Sequence, residues 1–224
     1  MTFVVRPTVL PPAVWVPLFA ILLSAPAHAQ SPVPIATHVG TEQSERLGLT
    51  TAIVGDLDRD GCADYLIGAP GSSPGGVSFA GSAFLYSGAS GAVLRQIDGT
   101  QAAEQRGFVA ALGDLDGDSI PDYAVAAPLV PNGATPLAGS IWVVSGKTHQ
   151  TLYDLRGPTE RAKFGTVMTG IGDADGDGLA DMAIGSWPID LNGLVEVGVV
   201  YVVRGVDGAL IRSFNGQFEG QRFG

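Results

Sequence analysis

Short apolar runs, separated by turn residues, follow one another along most of the chain. In the stretch from residue 164 to 216, apolar runs of five to nine residues are rich in Val, Ile and aromatic residues and end at Gly, Pro, Asn or Asp. Runs of this length and composition are typical of β-strands, and no 3.6-residue helical pattern continues past the breakers. The pattern predicts four strands in this stretch, joined by short turns such as Val206-Asp207-Gly208.

The same strand pattern occurs three times, with a period of 58 to 59 residues. The first aspartates of three acidic loops, Asp56, Asp114 and Asp173, keep this step. Two sets of glycines keep it as well: Gly88, Gly146 and Gly205, and Gly99, Gly157 and Gly216. A period of this size indicates a repeat architecture, and four strands in each repeat favour a propeller. We therefore predict an all-β fold, a β-propeller of four-stranded antiparallel blades.

The repeat also predicts how the chain is divided. Because Phe223-Gly224 recurs 59 residues after Phe164-Gly165, the last residues are expected to begin a fourth blade. The predicted parts are a signal peptide at 1–29, an N-terminal lead at 30–45, blade 1 at 46–104, blade 2 at 105–162, blade 3 at 163–221 and the start of blade 4 at 222–224. Three blades do not close a ring, so the chain is expected to be a fragment of a larger one, with seven blades favoured.

The N-terminus has the features of a secretory signal peptide. Arg6 precedes an apolar run at 14–25, and Ala27-His28-Ala29 provides a small-residue cleavage site. The run is shorter than the ~20 residues that a membrane span needs. We expect the mature chain to begin near Gln30 and to be secreted, to the extracellular space, the cell surface or the periplasm.

Charge and cysteine content narrow the classes of function. The formal net charge is -10, and 12 of the 22 acidic residues lie in the three acidic loops. This balance argues against a nucleic-acid partner, which requires clustered Lys and Arg. Cys62 is the only cysteine, so an internal disulfide is excluded. The mature chain contains no apolar segment long enough to cross a membrane.

The acidic loops follow the pattern D-x-D-x-D-G-x-x-D, with Ser in place of Gly in the second loop. Carboxylates at positions 1, 3, 5 and 9 and a backbone carbonyl at position 7 make an all-oxygen set, which suits Ca²⁺ better than Mg²⁺. The predicted ligands are Asp56, Asp58, Asp60, Cys62 and Asp64 in blade 1, Asp114, Asp116, Asp118, Ile120 and Asp122 in blade 2, and Asp173, Asp175, Asp177, Leu179 and Asp181 in blade 3. We expect about one Ca²⁺ in each blade.

Two alternatives compete with this interpretation. An EF-hand loop needs an acidic ligand at position 12, where this chain has Ile67, Val125 and Ile184. The loops are instead predicted to be nine-residue turns inside β-hairpins. Solvated Asp-Gly turns without metal remain the other alternative. The second loop is expected to bind most weakly, because Ser119 replaces the glycine and Pro121 stiffens position 8.

These residues resemble the FG-GAP repeat, the blade unit of the integrin alpha-subunit propeller and of many secreted bacterial proteins. Phe164-Gly165 matches the FG element and Gly68-Ala69-Pro70 the GAP element, and the acidic loops fall between the two. The match is looser at Leu47-Gly48 and Arg106-Gly107. The resemblance covers about residues 46 to 224. It implies calcium hairpins on one face of the disc, and ligand contacts through the strand 2 to 3 loops on the other.

Three classes of function remain. The favoured one is a non-catalytic, calcium-stabilised binding or adhesion module with an extracellular protein or glycan as ligand. The second is the non-catalytic part of a larger secreted enzyme. The chain itself is not expected to be an enzyme, since it has no G-x-S-x-G, H-E-x-x-H or C-x-x-C motif and its mature part has only His38 and His149. The third is a sugar-binding propeller with Trp187 as the stacking residue, Trp142 being expected in the core.

Overall fold

The structure is a computed structural model that describes residues 36–224. The predicted signal peptide and the first residues of the N-terminal lead lie outside the described residues. Twelve strands form three four-stranded antiparallel sheets, and within residues 36–224 the only helical element is the 3-10 turn Pro74–Gly76. The predicted all-β fold is confirmed.

Each sheet contains four strands that are consecutive in the chain and pair in chain order. Blade 1 consists of β1 (Thr50–Gly55), β2 (Asp64–Ala69), β3 (Ser82–Tyr86) and β4 (Val93–Asp98). Blade 2 consists of β5 (Phe108–Gly113), β6 (Asp122–Ala127), β7 (Ser140–Val144) and β8 (Thr151–Arg156). Blade 3 consists of β9 (Val167–Gly172), β10 (Asp181–Ser186), β11 (Val199–Val203) and β12 (Leu210–Asn215).

The first strands of neighbouring sheets lie side by side. β1 packs against β5, and β5 packs against β9, whereas the outer strands β4, β8 and β12 pair only with the third strand of their own sheet. Sheets that meet through their first strands radiate from a common axis, as the blades of a propeller do. The predicted β-propeller arrangement is therefore confirmed for the three blades.

The hydrophobic core lies between the blades. Leu66 and Leu85 of blade 1 pack with Tyr123 of blade 2, and all three side chains are fully buried. A second cluster joins blade 2 to blade 3, where Ile141 and Ile184 are buried together. Burial of a large aliphatic side chain contributes about 1.5 to 3 kcal/mol. Each blade therefore depends on its neighbour for the burial of its apolar face.

The first set of in-phase glycines is explained by a close backbone approach. Each of these glycines follows the third strand of its blade, in the turn that leads to the fourth strand. A Cβ atom on Gly88, Gly146 or Gly205 would overlap the carbonyl oxygen of Ala63, Pro121 or Ala180, respectively, in the acidic loop of the same blade. Since only glycine allows this approach, the periodic glycines fix the distance between the acidic loop and the turn.

Three of the four turns that precede a blade, counting the turn before residues 222–224, are closed by a side-chain oxygen that accepts two backbone N–H groups. The donor pairs, with N···O distances, are Thr41 and Glu42 to Glu45 (2.7 and 3.2 Å), Thr100 and Gln101 to Glu104 (3.0 Å each), and Gln217 and Phe218 to Gln221 (2.6 and 3.3 Å). The connection from blade 2 to blade 3 departs from this rule, because Ala162 stands at the acceptor position and Pro158 at the first donor position. Sequence analysis did not identify these closures.

The last residues contact blade 3 in the way that the earlier connections contact blades 1 and 2. The N–H of Phe223 donates to the carbonyl of Val197 at 3.0 Å, and the N–H of Phe164 donates to the carbonyl of Ala138 at 3.0 Å. Residues 222–224 thus occupy, relative to blade 3, the place that the start of blade 3 occupies relative to blade 2.

Replacement of Glu104 should test the closure of these turns. The Glu104 carboxylate is 2% exposed and also pairs with Arg106 at 2.7 Å. Glu104→Ala leaves both N–H groups and the guanidinium without this partner, so we expect a loss of about 3 kcal/mol in the free energy of unfolding. Glu104→Gln keeps an amide oxygen, as Gln221 does, and should lose about 1 kcal/mol. Urea unfolding of both variants measures this difference, and equal losses would contradict the account.

Candidate metal centre

Each acidic loop connects the first and second strands of its blade, and each begins at a bulge. The strand register shifts beside Gly55, Gly113 and Gly172, whose φ angles are 82°, 90° and 71°. A bulge with glycine in the left-handed region bends the strand sharply. The Gly-Asp pair that opens each loop therefore sets the direction in which the first aspartate leaves the sheet.

Three carboxylates converge in every loop, those at positions 1, 3 and 9. The sets are Asp56, Asp58 and Asp64; Asp114, Asp116 and Asp122; and Asp173, Asp175 and Asp181. In each set, one oxygen of every carboxylate lies within 4.8 Å of the others. Two oxygens that bind one Ca²⁺ at ~2.4 Å are at most ~4.8 Å apart. The spacing and the all-oxygen donors fit one hard cation in each loop.

The ninth-position aspartate is the buried member of each set. Asp64, Asp122 and Asp181 are all 0% exposed. Their Oδ2 atoms accept the N–H of Leu57, Leu115 and Ala174 at 2.7, 2.8 and 2.7 Å, and their Oδ1 atoms accept the N–H of Gly88, Gly146 and Gly205 at 2.9 Å each. One carboxylate therefore joins the acidic loop to the turn between the third and fourth strands of its blade.

The other carboxylates fold the loop around themselves. The first-position aspartates accept the N–H at position 6, from Gly61, Ser119 and Gly178 at 3.0, 2.8 and 2.9 Å. The fifth-position aspartates Asp60, Asp118 and Asp177 accept the N–H at position 7 at 2.9 Å each, and they are not part of the converging sets. Their ligand roles, and those of the Cys62, Ile120 and Leu179 carbonyls, stay predictions.

Backbone strain differs from loop to loop. Ser119 holds a φ of 69° in the second loop, and Arg59 holds a φ of 63° in the first. The third loop has Gly176 and Gly178 at the corresponding positions, with φ of 90° and 89°. A non-glycine residue in the left-handed region costs about 1 kcal/mol. The third loop alone reaches this conformation without that cost.

Neighbouring loops also touch across the blade boundaries. The N–H of Ala180, at position 8 of the third loop, donates to the carbonyl of Asp114 in the second loop at 3.0 Å. Pro121 takes position 8 in the second loop and has no N–H to donate to the first. Pro121 packs instead beside Gly55 of blade 1. The second loop therefore lacks one inter-blade hydrogen bond that the third loop makes.

Three of the loop carboxylates have shifted pKa values. Burial raises the pKa of Asp122 to about 6, and repulsion from Asp116 and Asp118 acts in the same direction. Hydrogen bonds from two backbone N–H groups act in the opposite direction. The pKa of Asp58 is also raised, first by desolvation and then by its carboxylate neighbours. Hydrogen bonds from the N–H groups of Gly176 and Gly178 lower the pKa of Asp173. A cation would offset the repulsion among these carboxylates.

Two further side chains contact the loops and were missed by sequence analysis. The Ser87 hydroxyl donates to Asp60 Oδ2 at 2.9 Å, and Lys147 Nζ lies 3.7 Å from Asp118 Oδ2. Both come from the turn between the third and fourth strands of their blade. Nothing in the D-x-D-x-D pattern indicates them, because they are distant in sequence and differ from blade to blade.

His38 and His149 each contact a tyrosine. His149 Nδ1 lies 3.5 Å from the Tyr123 hydroxyl, and burial lowers the pKa of this imidazole. His38 Nε2 lies 2.8 Å from the Tyr65 hydroxyl, and its ring centroid is 3.9 Å from that of Tyr86. In residues 36–224, no hydrogen bond joins either histidine to a carboxylate. Neither ring is hydrogen-bonded to an acidic loop, although the charge of Asp64 opposes the lowering of the His149 pKa.

The two tryptophans considered as core or sugar contacts lie in different surroundings. Trp142 is half-buried in β7, and the guanidinium of Arg106 lies 3.9 Å from its ring centroid. It was expected in the core, and it is instead covered in part by this cation. Trp187 lies in the loop after β10, with Lys163 Nζ 4.8 Å from its ring centroid.

Radiating four-stranded blades, each with converging carboxylates in its first hairpin, define a β-propeller repeat that can hold metal ions. Comparison with known proteins agrees with this class. The chain is 27% identical over 164 residues to integrin alpha-5 of Xenopus laevis, covering 70% of this chain and 15% of that protein. It is 31% identical over 163 residues to integrin alpha-PS2 of Drosophila melanogaster, covering 68% and 11%. The chain thus has an integrin alpha-like propeller of the FG-GAP type, as predicted.

A relative of a different kind is also similar. The chain is 31% identical over 183 residues to phosphatidylinositol-glycan-specific phospholipase D of Mus musculus, covering 75% of this chain and 21% of that protein. The chain therefore spans about a fifth or less of the length of these relatives. No family model matches the sequence.

Solved structures of rhamnogalacturonan lyases show a low overall similarity. The Bacillus licheniformis enzyme aligns with a TM-score of 0.48 and 16% identity, covering 75% of this chain and 34% of that chain. The lyase YesW aligns with a TM-score of 0.46 and 14% identity, covering 75% and 34%.

Relief of strain in the second loop is a direct test of the loop geometry. Ser119→Gly should raise the free energy of unfolding by about 1 kcal/mol, because glycine adopts the left-handed conformation without the Cβ contact. Gly178→Ser should lower it by a similar amount. As a matched control, Ser213→Gly in strand β12 should lower stability by about 0.5 kcal/mol, since glycine weakens a strand. Denaturant unfolding gives all three values, and a destabilised Ser119→Gly variant would contradict the geometry.

The raised pKa of Asp122 predicts the pH dependence of the metal-free chain. The pKa of Asp122 is about 6 in the folded chain, above its ordinary value of 3.8. The stability that this group contributes is therefore complete below pH 3.8 and is lost as the pH rises through 6. In EDTA, the unfolding free energy of the wild-type chain minus that of Asp122→Asn should fall between pH ~4 and pH ~7. A difference that rises over this range would overturn the assignment.

Proposed function

We propose that this chain is a secreted, calcium-stabilised β-propeller that acts as a non-catalytic binding or adhesion module. The observation that carries the proposal is the recurrence, in all three blades, of three carboxylates whose oxygens lie within 4.8 Å of one another. A single acidic cluster is common on protein surfaces. Three clusters at the same position of a repeating hairpin, each with its ninth-position aspartate buried, support a shared role in metal binding.

Calcium is the ion that this donor set favours. The converging donors are carboxylate oxygens, without nitrogen or sulfur. Ca²⁺ accepts six to eight such oxygens in flexible geometry, whereas Mg²⁺ requires a strict octahedron and retains its waters. The carboxylates at the first, third and ninth positions, which lie close together in each loop, would supply three of the ligands. The fifth-position carboxylates and the seventh-position carbonyls would complete the coordination.

The bound ion would supply positive charge at the centre of each loop, while the chain fixes the geometry. Asp64, Asp122 and Asp181 hold each loop against its own blade, and their buried carboxylates orient one ligand oxygen before any ion binds. Extracellular calcium modules bind with a Kd of ~10⁻⁴ to 10⁻³ M, so ~1 mM calcium would add about 0.4 to 1.4 kcal/mol per site. The ions then serve mainly to stabilise the blades.

Ligand binding is assigned to the face opposite the acidic loops. In each antiparallel sheet the loop between the second and third strands lies at the other end from the first hairpin. These loops follow Ala69, Ala127 and Ser186; they are equal in length and differ in composition from blade to blade. Variable loops on a rigid scaffold suit recognition. The partner would be an extracellular protein or glycan, since the net charge of -10 disfavours nucleic acid.

Secretion is supported by the features of residues 1–29 in the sequence. Among residues 36–224, no helix has the length and apolar character that a membrane crossing requires.

A second candidate function is the non-catalytic propeller part of a larger secreted enzyme. The similarity to phosphatidylinositol-glycan-specific phospholipase D favours this candidate. In both cases the propeller itself binds and does not catalyse.

Thermal unfolding with and without calcium tests the proposed function. Saturating calcium should raise the Tm by at least about 3 °C over EDTA, from the contributions of the sites together. Asp175→Asn should reduce this increase by about a third, because one of three sites is lost. As a matched control, Asp154→Asn on the exposed surface of β8 should leave the increase unchanged.

Two results would contradict the proposal. One is an unchanged Tm together with no calcium bound at millimolar concentration. The other is an equal response to Asp175→Asn and Asp154→Asn, which would show that calcium acts through general surface charge. Turnover of a phosphodiester by the isolated chain would contradict its non-catalytic part.

A further inference from the structure

A cavity of about 600 Å³ opens between blades 2 and 3, at the end of the blades opposite the acidic loops. Its walls come from the loop after β6, from the connection between the two blades, and from the loop after β10. The volume lies within the ~300 to 1,000 Å³ that is typical of small-ligand sites. Neither the acidic loops nor the proposed calcium ions involve this region.

Charged groups of both signs border this cavity, and two of its carboxylates are engaged within the chain. Glu196 is held by Arg222 at 2.7 Å, and Asp190 Oδ1 accepts the N–H of Glu196 at 2.8 Å. In contrast, Lys163 takes part in none of the ion pairs within residues 36–224. Arg161 lies only 3.9 Å from Glu160, and both side chains are largely exposed. Two cationic side chains are therefore available to an anionic group of a ligand.

A break in the repeat adds a backbone donor at the same place. In the three other turns that precede a blade, the N–H of Glu42, Gln101 or Phe218 donates to a side-chain oxygen. The equivalent donor here is the N–H of Thr159, but Ala162 supplies no such oxygen. Thr159 borders the cavity and is exposed, and its N–H makes no hydrogen bond within residues 36–224. A ligand oxygen can take the place that a carboxylate or amide oxygen occupies in the other turns.

One wall of the cavity is an aromatic ring that the other blades lack. Trp187 stands where blades 1 and 2 have Pro70 and Pro128, and Pro188 extends the same wall. Lys163 Nζ lies 4.8 Å and Arg222 Cζ 5.2 Å from the ring centroid. Both cations lie over the ring, which places positive charge next to an apolar aromatic surface. This combination fits a ligand that has both a ring-shaped apolar face and a carboxylate.

We propose that this cavity binds an acidic saccharide through the carboxylate of a sugar acid. The carboxylate accepts from Lys163 and from the N–H of Thr159, and the sugar ring packs against Trp187 and Pro188. The hydroxyl groups meet both a donor and an acceptor in Arg161 and Glu160. All of the walls are loops, without the free strand edge that an extended peptide would use. The proposal rests on the proposed binding function and gives it a site and a ligand class.

Calorimetric titration of the calcium-saturated chain tests the proposal with three probes. They are a trisaccharide of hexuronic acids, the neutral hexose trisaccharide of the same linkage, and a triglutamate peptide. We expect the acidic trisaccharide to bind at least about tenfold more tightly than either of the others, because only it satisfies both the donors and the aromatic wall. Equal binding of the neutral sugar would overturn the carboxylate assignment, and tighter binding of the peptide would overturn the saccharide assignment.

Three variants of cavity residues and one matched control locate the site. Lys163→Gln and Trp187→Ala should each weaken binding of the acidic trisaccharide by about tenfold. The matched control, Arg212→Gln on strand β12, changes the net charge by the same amount and should leave binding unchanged. Trp187→Phe keeps an aromatic wall, so it should bind more tightly than Trp187→Ala, and equal affinities of these two variants would contradict the role of the ring. An equal loss of affinity in Lys163→Gln and Arg212→Gln would show that binding depends on net charge and would contradict the role of Lys163.

The calcium-dependent Tm of the same samples separates this proposal from the proposed function. A normal calcium response without saccharide binding would overturn the cavity assignment and leave the metal sites intact. Saccharide binding that is equally tight in EDTA, with no calcium response, would overturn the calcium-stabilised module and support the cavity.

Discussion

Each blade is organised around one buried carboxylate that accepts two backbone N–H groups. Asp64, Asp122 and Asp181 are fully buried, and each connects the first hairpin of its blade to the turn after the third strand. An ionised carboxylate in such a place is costly unless it is hydrogen-bonded or paired with a cation. The two N–H groups meet part of this requirement. Two more carboxylates converge beside it and add repulsion. A bound cation would offset this repulsion and the rest of the cost of burial.

The same loops connect one blade to the next. Leu57 of the first loop lies beside Gly146 of blade 2, and Leu115 of the second loop lies beside Gly205 of blade 3. Both leucines are buried. Since the main cores also lie between the sheets, the order of a loop affects the packing of two blades. A cation that fixes a loop therefore stabilises the blade boundary as well as the hairpin.

Sequence periodicity was sufficient to predict the blades and the acidic loops, because every copy carries the same residues at the same step. It also marked Gly88, Gly146 and Gly205, although their purpose became clear only from the backbone approach to the acidic loops. The closures by Glu45, Glu104 and Gln221 were missed, since the acceptor is an acid in two turns, an amide in another and absent at Ala162. Features that break the repeat, such as the cavity beside Trp187, depend on contacts between distant loops and leave no periodic signal.

In the proposed function, the three carboxylate clusters are calcium sites built into the blade hairpins. Its most direct test is a crystal structure of the chain grown in millimolar calcium, with the ions identified by anomalous scattering. One ion is expected in each loop, ~2.3 to 2.6 Å from oxygens of the first-, third- and ninth-position aspartates. Well-ordered loops with no ion between these carboxylates, in crystals that contain calcium elsewhere, would contradict it.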